Sequence, residues 1–186
     1  MQHEWLMAGF GGQGILFLGN ILAQAAMRQG LQTTYMPTYG VAMRGGTANC
    51  VVRLSDGEIG SPLLEAPDAA IILNQQSFDK FRSLVQPNGL IIANSSMITP
   101  SENGPEDTVR VVYIPATTIA LESVGTERST NMVALGAFLA SDTAIKAETI
   151  DNIFEEERNP AKLKLVKTNK IALQAGMAYL RNKSEP

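Results

Sequence analysis

Near its amino end the chain carries Gly9-Phe10-Gly11-Gly12-Gln13-Gly14, a Gly-x-Gly-x-x-Gly spacing. Glycines spaced in this way let a backbone turn sharply and approach a ligand. A helix that begins directly afterwards offers free N–H groups and a positive dipole end to an anion. The Gln13 amide adds a hydrogen-bonding group to the turn. A second stretch, Met43-Arg44-Gly45-Gly46-Thr47-Ala48-Asn49-Cys50, sets a guanidinium ahead of two glycines and then alternates polar side chains. Thr47 and Asn49 therefore share one face of a strand. Arginine beside glycines suits a phosphate or a carboxylate. The candidate ligand-binding residues are Gly11, Gly12, Gln13 and Gly14 of the first turn and Arg44, Gly45, Gly46, Thr47 and Asn49 of the second, and the two turns are expected to lie side by side.

Several chemistries lack their parts. A nicotinamide dinucleotide site wants an acid about 20 residues beyond its glycine turn, to hold ribose hydroxyls. Tyr35-Met36-Pro37 stands there instead, and Arg28, Arg44 and Arg53 are the only charged residues between Trp5 and Ser55. That local positive bias, with an arginine left unpaired near the turn, fits an anion. The one cysteine, Cys50, falls in an apolar strand and reads as a buried small hydrophobe. One thiol supports neither a disulfide framework nor an iron–sulfur cluster held by this chain alone. The one histidine, His3, sits beside a terminus expected to be mobile, so histidine triads and multi-histidine metal sites have no material. Glu155, Glu156 and Glu157 read as a solvated helix face. No catalytic residue and no metal ligand is assigned. The expectation is a subunit whose turns complete chemistry carried by other chains.

The elements that must position these turns follow from the pattern of apolar residues. The chain has 186 residues and 20.0 kDa, 45% apolar and 18% charged, enough for a packed core in one α/β domain over residues 1–186. Its net charge of −3 argues against a general nucleic-acid binder. No apolar run reaches the roughly 18 residues of a membrane span, so a cytoplasmic protein with no membrane contact is expected. Strands are predicted at 5–8, 33–36, 47–54, 69–73, 90–93 and 109–114, with helices over 15–29 and 77–85, the latter capped by Ser77. Strands alternating with helices imply a mostly parallel sheet over residues 1–115. After Pro115 the pattern turns helical: 116–124, 130–141, 146–157 and a last helix from Asn159-Pro160, expected to pack on its own sheet. Residues 37–46 read as an ordered loop and 100–107 as an exposed one.

Taken together, GFGGQG with its helix ILFLGNILAQAAMRQG, then YMPTYGVAMRGGTANCVVRLS, DAAIILNQ, NGLIIANSS and IPATTIALESVGTERSTNMVALGAFL resemble the gamma subunit of 2-oxoacid:ferredoxin (acceptor) oxidoreductases. The resemblance covers about Met7 to Leu139. It implies a Rossmann-like three-layer sandwich with a mostly parallel sheet and C-terminal helices. It also implies a complex that oxidatively decarboxylates a 2-oxoacid with coenzyme A, giving acyl-CoA, CO2 and reduced ferredoxin. Thiamine diphosphate then lies between alpha and beta subunits, and iron–sulfur clusters in other subunits or domains, a delta subunit among them. The implied role of this chain is assembly and a contribution to the coenzyme A site, with 2-oxoglutarate or a branched-chain oxoacid favoured as substrate. Gly11 to Gly14 match the first family turn, and Arg44, Gly45 and Gly46 the second. Val41-Ala42 and Thr118 depart from it, at positions where the family often carries other residues. Two other readings stand beside this one: a free-standing nucleotide or anion-binding module, and a purely structural interaction subunit whose large apolar patch is exposed, or covered by self-association, when the chain is alone.

Overall fold

The computed structural model describes residues 1–39, 47–61, 63–100 and 108–184. Six strands form one sheet: β1 (Gln2–Phe10), β2 (Gln32–Tyr39), β3 (Thr47–Ser55), β4 (Ala69–Ile72), β5 (Leu90–Asn94) and β6 (Arg110–Ile114), in the order β2-β3-β1-β4-β5-β6. β1, β4, β5 and β6 pair parallel, while β3 runs antiparallel to both of its neighbours. The α/β architecture with a mostly parallel sheet is thus as expected, with one reversed strand. β2 continues through Pro37 to Tyr39, beyond its predicted end. Proline is tolerated there because β2 is an edge strand, with a ladder on one side only.

The helices are unevenly divided between the two faces. α1 (Ile15–Arg28), α3 (Ala116–Val124), α4 (Thr130–Ser141), α5 (Ala147–Glu155) and α6 (Pro160–Ser184) gather on one face, with Trp5, Met7, Cys50 and Ile71 of the sheet. α2 (Gln75–Phe81) covers the other face, over Leu6, Ala8, Ala70 and Ile91. α2 is capped by Asn74, whose Oδ1 accepts the Ser77 N–H at 2.8 Å. Ser77, the predicted cap, is buried inside the first turn instead, and an α-helix gives way to a 3-10 turn at Arg82–Leu84.

α4 is buried from Thr130 to Leu139, because the sheet lies on one side of it and α6 on the other. This explains why TNMVALGAFLAS is apolar all round. α6 packs on α4 and α3, in an outer layer, and not on the sheet as predicted. The two helices cross backbone to backbone: a methyl added at Gly136 would meet the Leu173 carbonyl oxygen at 2.0 Å, and one at Gly176 the Val133 oxygen at 2.0 Å. No side chain can move aside to admit either. α6 buries Asn169, Ala172, Leu173, Met177 and Leu180, whereas Leu163 and Leu165 of its first turns stand half exposed.

His3 is not on a loose end. It lies in β1, and its Nδ1 meets Asp68 Oδ2. The same Asp68 accepts the Glu4 N–H at 3.0 Å.

Candidate functional site

The glycine turn lies at the carboxyl edge of the sheet. α1 begins at Ile15 after Gly14, whose φ of +75° suits glycine, and no side chain caps the helix and no acid stands in its first turn. A Cβ at Gly14 would also meet Asn131 Nδ2 at 2.3 Å, where that amide donates to the Gly14 carbonyl at 3.2 Å. Asn131 sits in the first turn of α4, so the turn is fastened to the central helix. Gln13 is fastened too. Its Oε1 accepts the Phe10 N–H at 2.6 Å and Asn74 Nδ2 at 3.3 Å, leaving Nε2 against Met97 Sδ at 3.5 Å. The Gln13 amide therefore serves first to hold the turn across the gap between the ends of β1 and β4, where the strand order changes direction.

Asn94 plays the matching part at the end of β5. It is fully buried and uses its whole amide: Nδ2 donates to the Leu73 oxygen at 3.3 Å and Thr117 Oγ1 at 3.0 Å, and Oδ1 accepts the Ser96 and Thr117 N–H groups, both at 3.3 Å. Three buried asparagines, Asn74, Asn94 and Asn131, thus tie three strand-to-helix connections together, β1 to α1, β4 to α2 and β6 to α3. The sequence marks none of them, because an asparagine at a strand end looks like any turn former.

A cleft of about 220 Å³ opens over this network. Gly12 and Gln13 form one wall with Met97; Thr117, Glu127, Arg128 and Thr130 form the other. Of the nine predicted residues, Gly12 and Gln13 line it, and Gly14 supports it from below through Asn131. Thr47 pairs with Phe10 in register, and Asn49 with Ala8 and Thr38, on the face covered by α2. The exits of β1 and β2 and the start of β3 thus share one edge. Arg44, Gly45 and Gly46 lie outside the described residues. Arg128 was missed: its only sequence signal is its place in GTERSTNMVALGAFL.

The unpaired arginine expected near the turn is not Arg53. That side chain is buried at the opposite edge, paired with its cross-strand neighbour Glu4, with Nη1 donating to the Ser61 oxygen at 2.7 Å and Nη2 3.4 Å from Glu65. Arg28 is paired as well, bidentate with Glu156 at 2.6 and 2.7 Å. Both arginines belong to the fold, because their acids come from outside the segment in which the positive bias was read. The three-glutamate run is a solvated face whose members pair outward, Glu155 with Lys170, Glu156 with Arg28 and Glu157 with Lys162.

Cys50 lies under α1, its Sγ 3.4 Å from the Ile15 oxygen, and burial pushes the thiol pKa up to about 12. It is an inert core residue and no nucleophile. Among the described residues no three of His, Cys, Asp and Glu gather to hold a metal ion. No described helix is long and apolar enough to cross a membrane.

Residues 4–179 match the family described as pyruvate ferredoxin/flavodoxin oxidoreductase. The ketoisovalerate oxidoreductase subunit VorA of Methanothermobacter thermautotrophicus is 38% identical over 180 residues, 96% of this chain and 36% of that protein. The chain thus spans about a third of the length of this curated relative. The keto/oxoacid ferredoxin oxidoreductase gamma subunit from Geobacter sulfurreducens aligns with a TM-score of 0.79 at 26% identity, over 96% of this chain and 98% of that one. The 2-oxoglutarate:ferredoxin oxidoreductase from Magnetococcus marinus, solved with 2-oxoglutarate, coenzyme A and succinyl-CoA bound, aligns with a TM-score of 0.84 at 24% identity, over 95% of this chain and 30% of that one. At that identity the likeness is one of fold.

Proposed function

We propose a function for this chain from one premise: it belongs to the pyruvate ferredoxin/flavodoxin oxidoreductase family. The chain serves as the gamma subunit of a 2-oxoacid:ferredoxin oxidoreductase, which converts a 2-oxoacid and coenzyme A to acyl-CoA and CO2 and passes the electrons to ferredoxin. Alpha and beta subunits, with a delta subunit or its equivalent, complete the complex. The reading rests above all on the family match over residues 4–179. Ketoisovalerate is the first substrate to assay, after the relative at 38% identity, with 2-oxoglutarate second.

Thiamine diphosphate and iron–sulfur clusters, held by the partner chains, supply decarboxylation and electron transfer. This chain contributes binding and shape. Gly11, Gly12, Gln13 and Gly14 form one wall of the coenzyme A site, kept in place by Asn74 and Asn131. Thr47 and Asn49 begin the strand beside it, and Arg44, Gly45 and Gly46 are assigned to the same site on sequence alone. The half-exposed Phe17 and Leu165 face the groove between α1 and α6 and are available to partner chains.

The test is co-expression with alpha and beta chains. The assembled complex forms acyl-CoA, and Gly12→Val, which strains a backbone at φ +95°, raises KM for coenzyme A while the complex still assembles. A purified single chain that turns over the oxoacid unaided, or a complex indifferent to its presence, defeats the reading.

A further inference from the structure

We propose that Arg128, in the turn between α3 and α4, is the cation this chain presents to a phosphate at the ADP end of coenzyme A. The inference rests on the coenzyme A reading above and adds a contact that the glycine turns do not supply.

The turn around Arg128 is held by hydrogen bonds of its own. Gly125 ends α3 in the left-handed region, Thr126 Oγ1 accepts the Arg128 N–H at 3.3 Å, and Thr130 Oγ1 donates to the Glu127 oxygen at 2.6 Å. Ser129 and Thr130 are buried. The Arg128 guanidinium has no ion pair or hydrogen bond among the described residues, in contrast to Arg28 and Arg53. A fixed backbone carrying an unengaged guanidinium at the mouth of a cleft is an arrangement for an incoming anion, since little order is lost when it binds.

The rest of the cleft narrows the choice of anion. Glu127, Thr117 and Thr130 line it with Arg128, and Gln13 lies opposite. An inorganic phosphate alone would meet the carboxylate unfavourably. A phosphorylated ribose satisfies both, with phosphate to Arg128 and hydroxyl or amino donors to Glu127. About 220 Å³ holds such an end and not the whole carrier, so the pantetheine arm runs outward to the partner subunits that hold the reacting acyl group.

The experiment uses the assembled complex with wild-type chain, Arg128→Ala and Arg128→Gln. KM for coenzyme A and the inhibition constant of adenosine 3′-phosphate 5′-diphosphate, which carries the ADP end without the arm, are both expected to rise about tenfold in each variant, as loss of a charge-assisted hydrogen bond implies. KM for the 2-oxoacid and kcat at saturating coenzyme A stay unchanged. Arg128→Gln removes the charge but keeps a polar side chain, so it carries the test if alanine disturbs assembly. Values within twofold of wild type, or a parallel rise in KM for the oxoacid, overturn the assignment. If Gly12→Val raises KM for coenzyme A and the Arg128 variants do not, this inference alone fails. If Gly12→Val has no effect either, the coenzyme A reading fails and this inference falls with it.

Discussion

The two ends of the sheet are built from different chemistry. At the amino edge charges are paired: Arg53 with Glu4, His3 with Asp68, and the terminal ammonium with Asp56 at 2.6 Å. At the carboxyl edge the ties are amides and hydroxyls, from Gln13, Asn74, Asn94, Asn131, Thr117 and Thr130. Ionic pairs close the first edge against the 56–68 segment, and Glu4 also accepts the Glu65 N–H at 2.8 Å. Neutral ties hold the second edge without neutralising Arg128 or filling the cleft beside it. Neutral ties suit an edge proposed to receive an anion, because an acid in their place would repel the ligand.

That contrast is sharpest where a tie is cut. Glu4→Gln removes the nearest counter-charge of a buried guanidinium, leaving it only the exposed Glu65, and is expected to lower unfolding stability by about 3 kcal/mol in denaturant titration, with KM for coenzyme A unmoved in any complex that still assembles. Asn94→Ala, at the other end, leaves the Ser96 and Thr117 N–H groups without their acceptor and is expected to cost about 2–3 kcal/mol. Unlike Glu4→Gln, it also raises KM for coenzyme A, because Thr117 lines the cleft. Equal KM effects from the two variants would erase the distinction between the edges. Gly14→Ala forces a side chain into the left-handed region and against Asn131, at about 1–2 kcal/mol from the backbone alone, read as a lowered Tm.

The smallest effect is one of pH. The His3 pKa is raised above 6.5, first by its hydrogen bond to Asp68, against desolvation, with Asp142 also raising it and the terminal ammonium lowering it. A pKa raised on folding gives stability that is fully present below about 6.5 and lost as pH climbs through the folded value. A modest fall of Tm over that window, absent in His3→Gln, is the expected result. The carboxyl edge, without a shifted histidine, adds nothing to it. Cys50, with its thiol pushed up to about 12, should stay unlabelled by Ellman's reagent until the chain unfolds.

Much of this was legible in the residues. Apolar runs such as AAII and LIIAN announced strands covered on both faces, and Gly125 and Asn159-Pro160 marked a helix end and a helix start where they occur. The glycine spacing gave the turn, and the joint pattern of two turns gave the family, because local backbone demands leave local signatures. The errors were long-range. Arg53 looked free because Glu4 is 49 residues away in sequence and adjacent only across a ladder. α6 looked like a sheet-packing helix because periodicity shows a buried stripe and not what covers it. Gly136 and Gly176 cannot be told from incidental glycines until the two helix backbones are seen to touch.

The amino-acid order by itself determined the strands, the helices and the glycine turn, since each depends on neighbours a few residues apart. Only the tertiary structure decided which arginines are neutralised, which amides hold the carboxyl edge and that Arg128, at the cleft, has no ion pair among the described residues. Charge pairing and amide satisfaction depend on distance in space, which the order of residues along a chain does not contain.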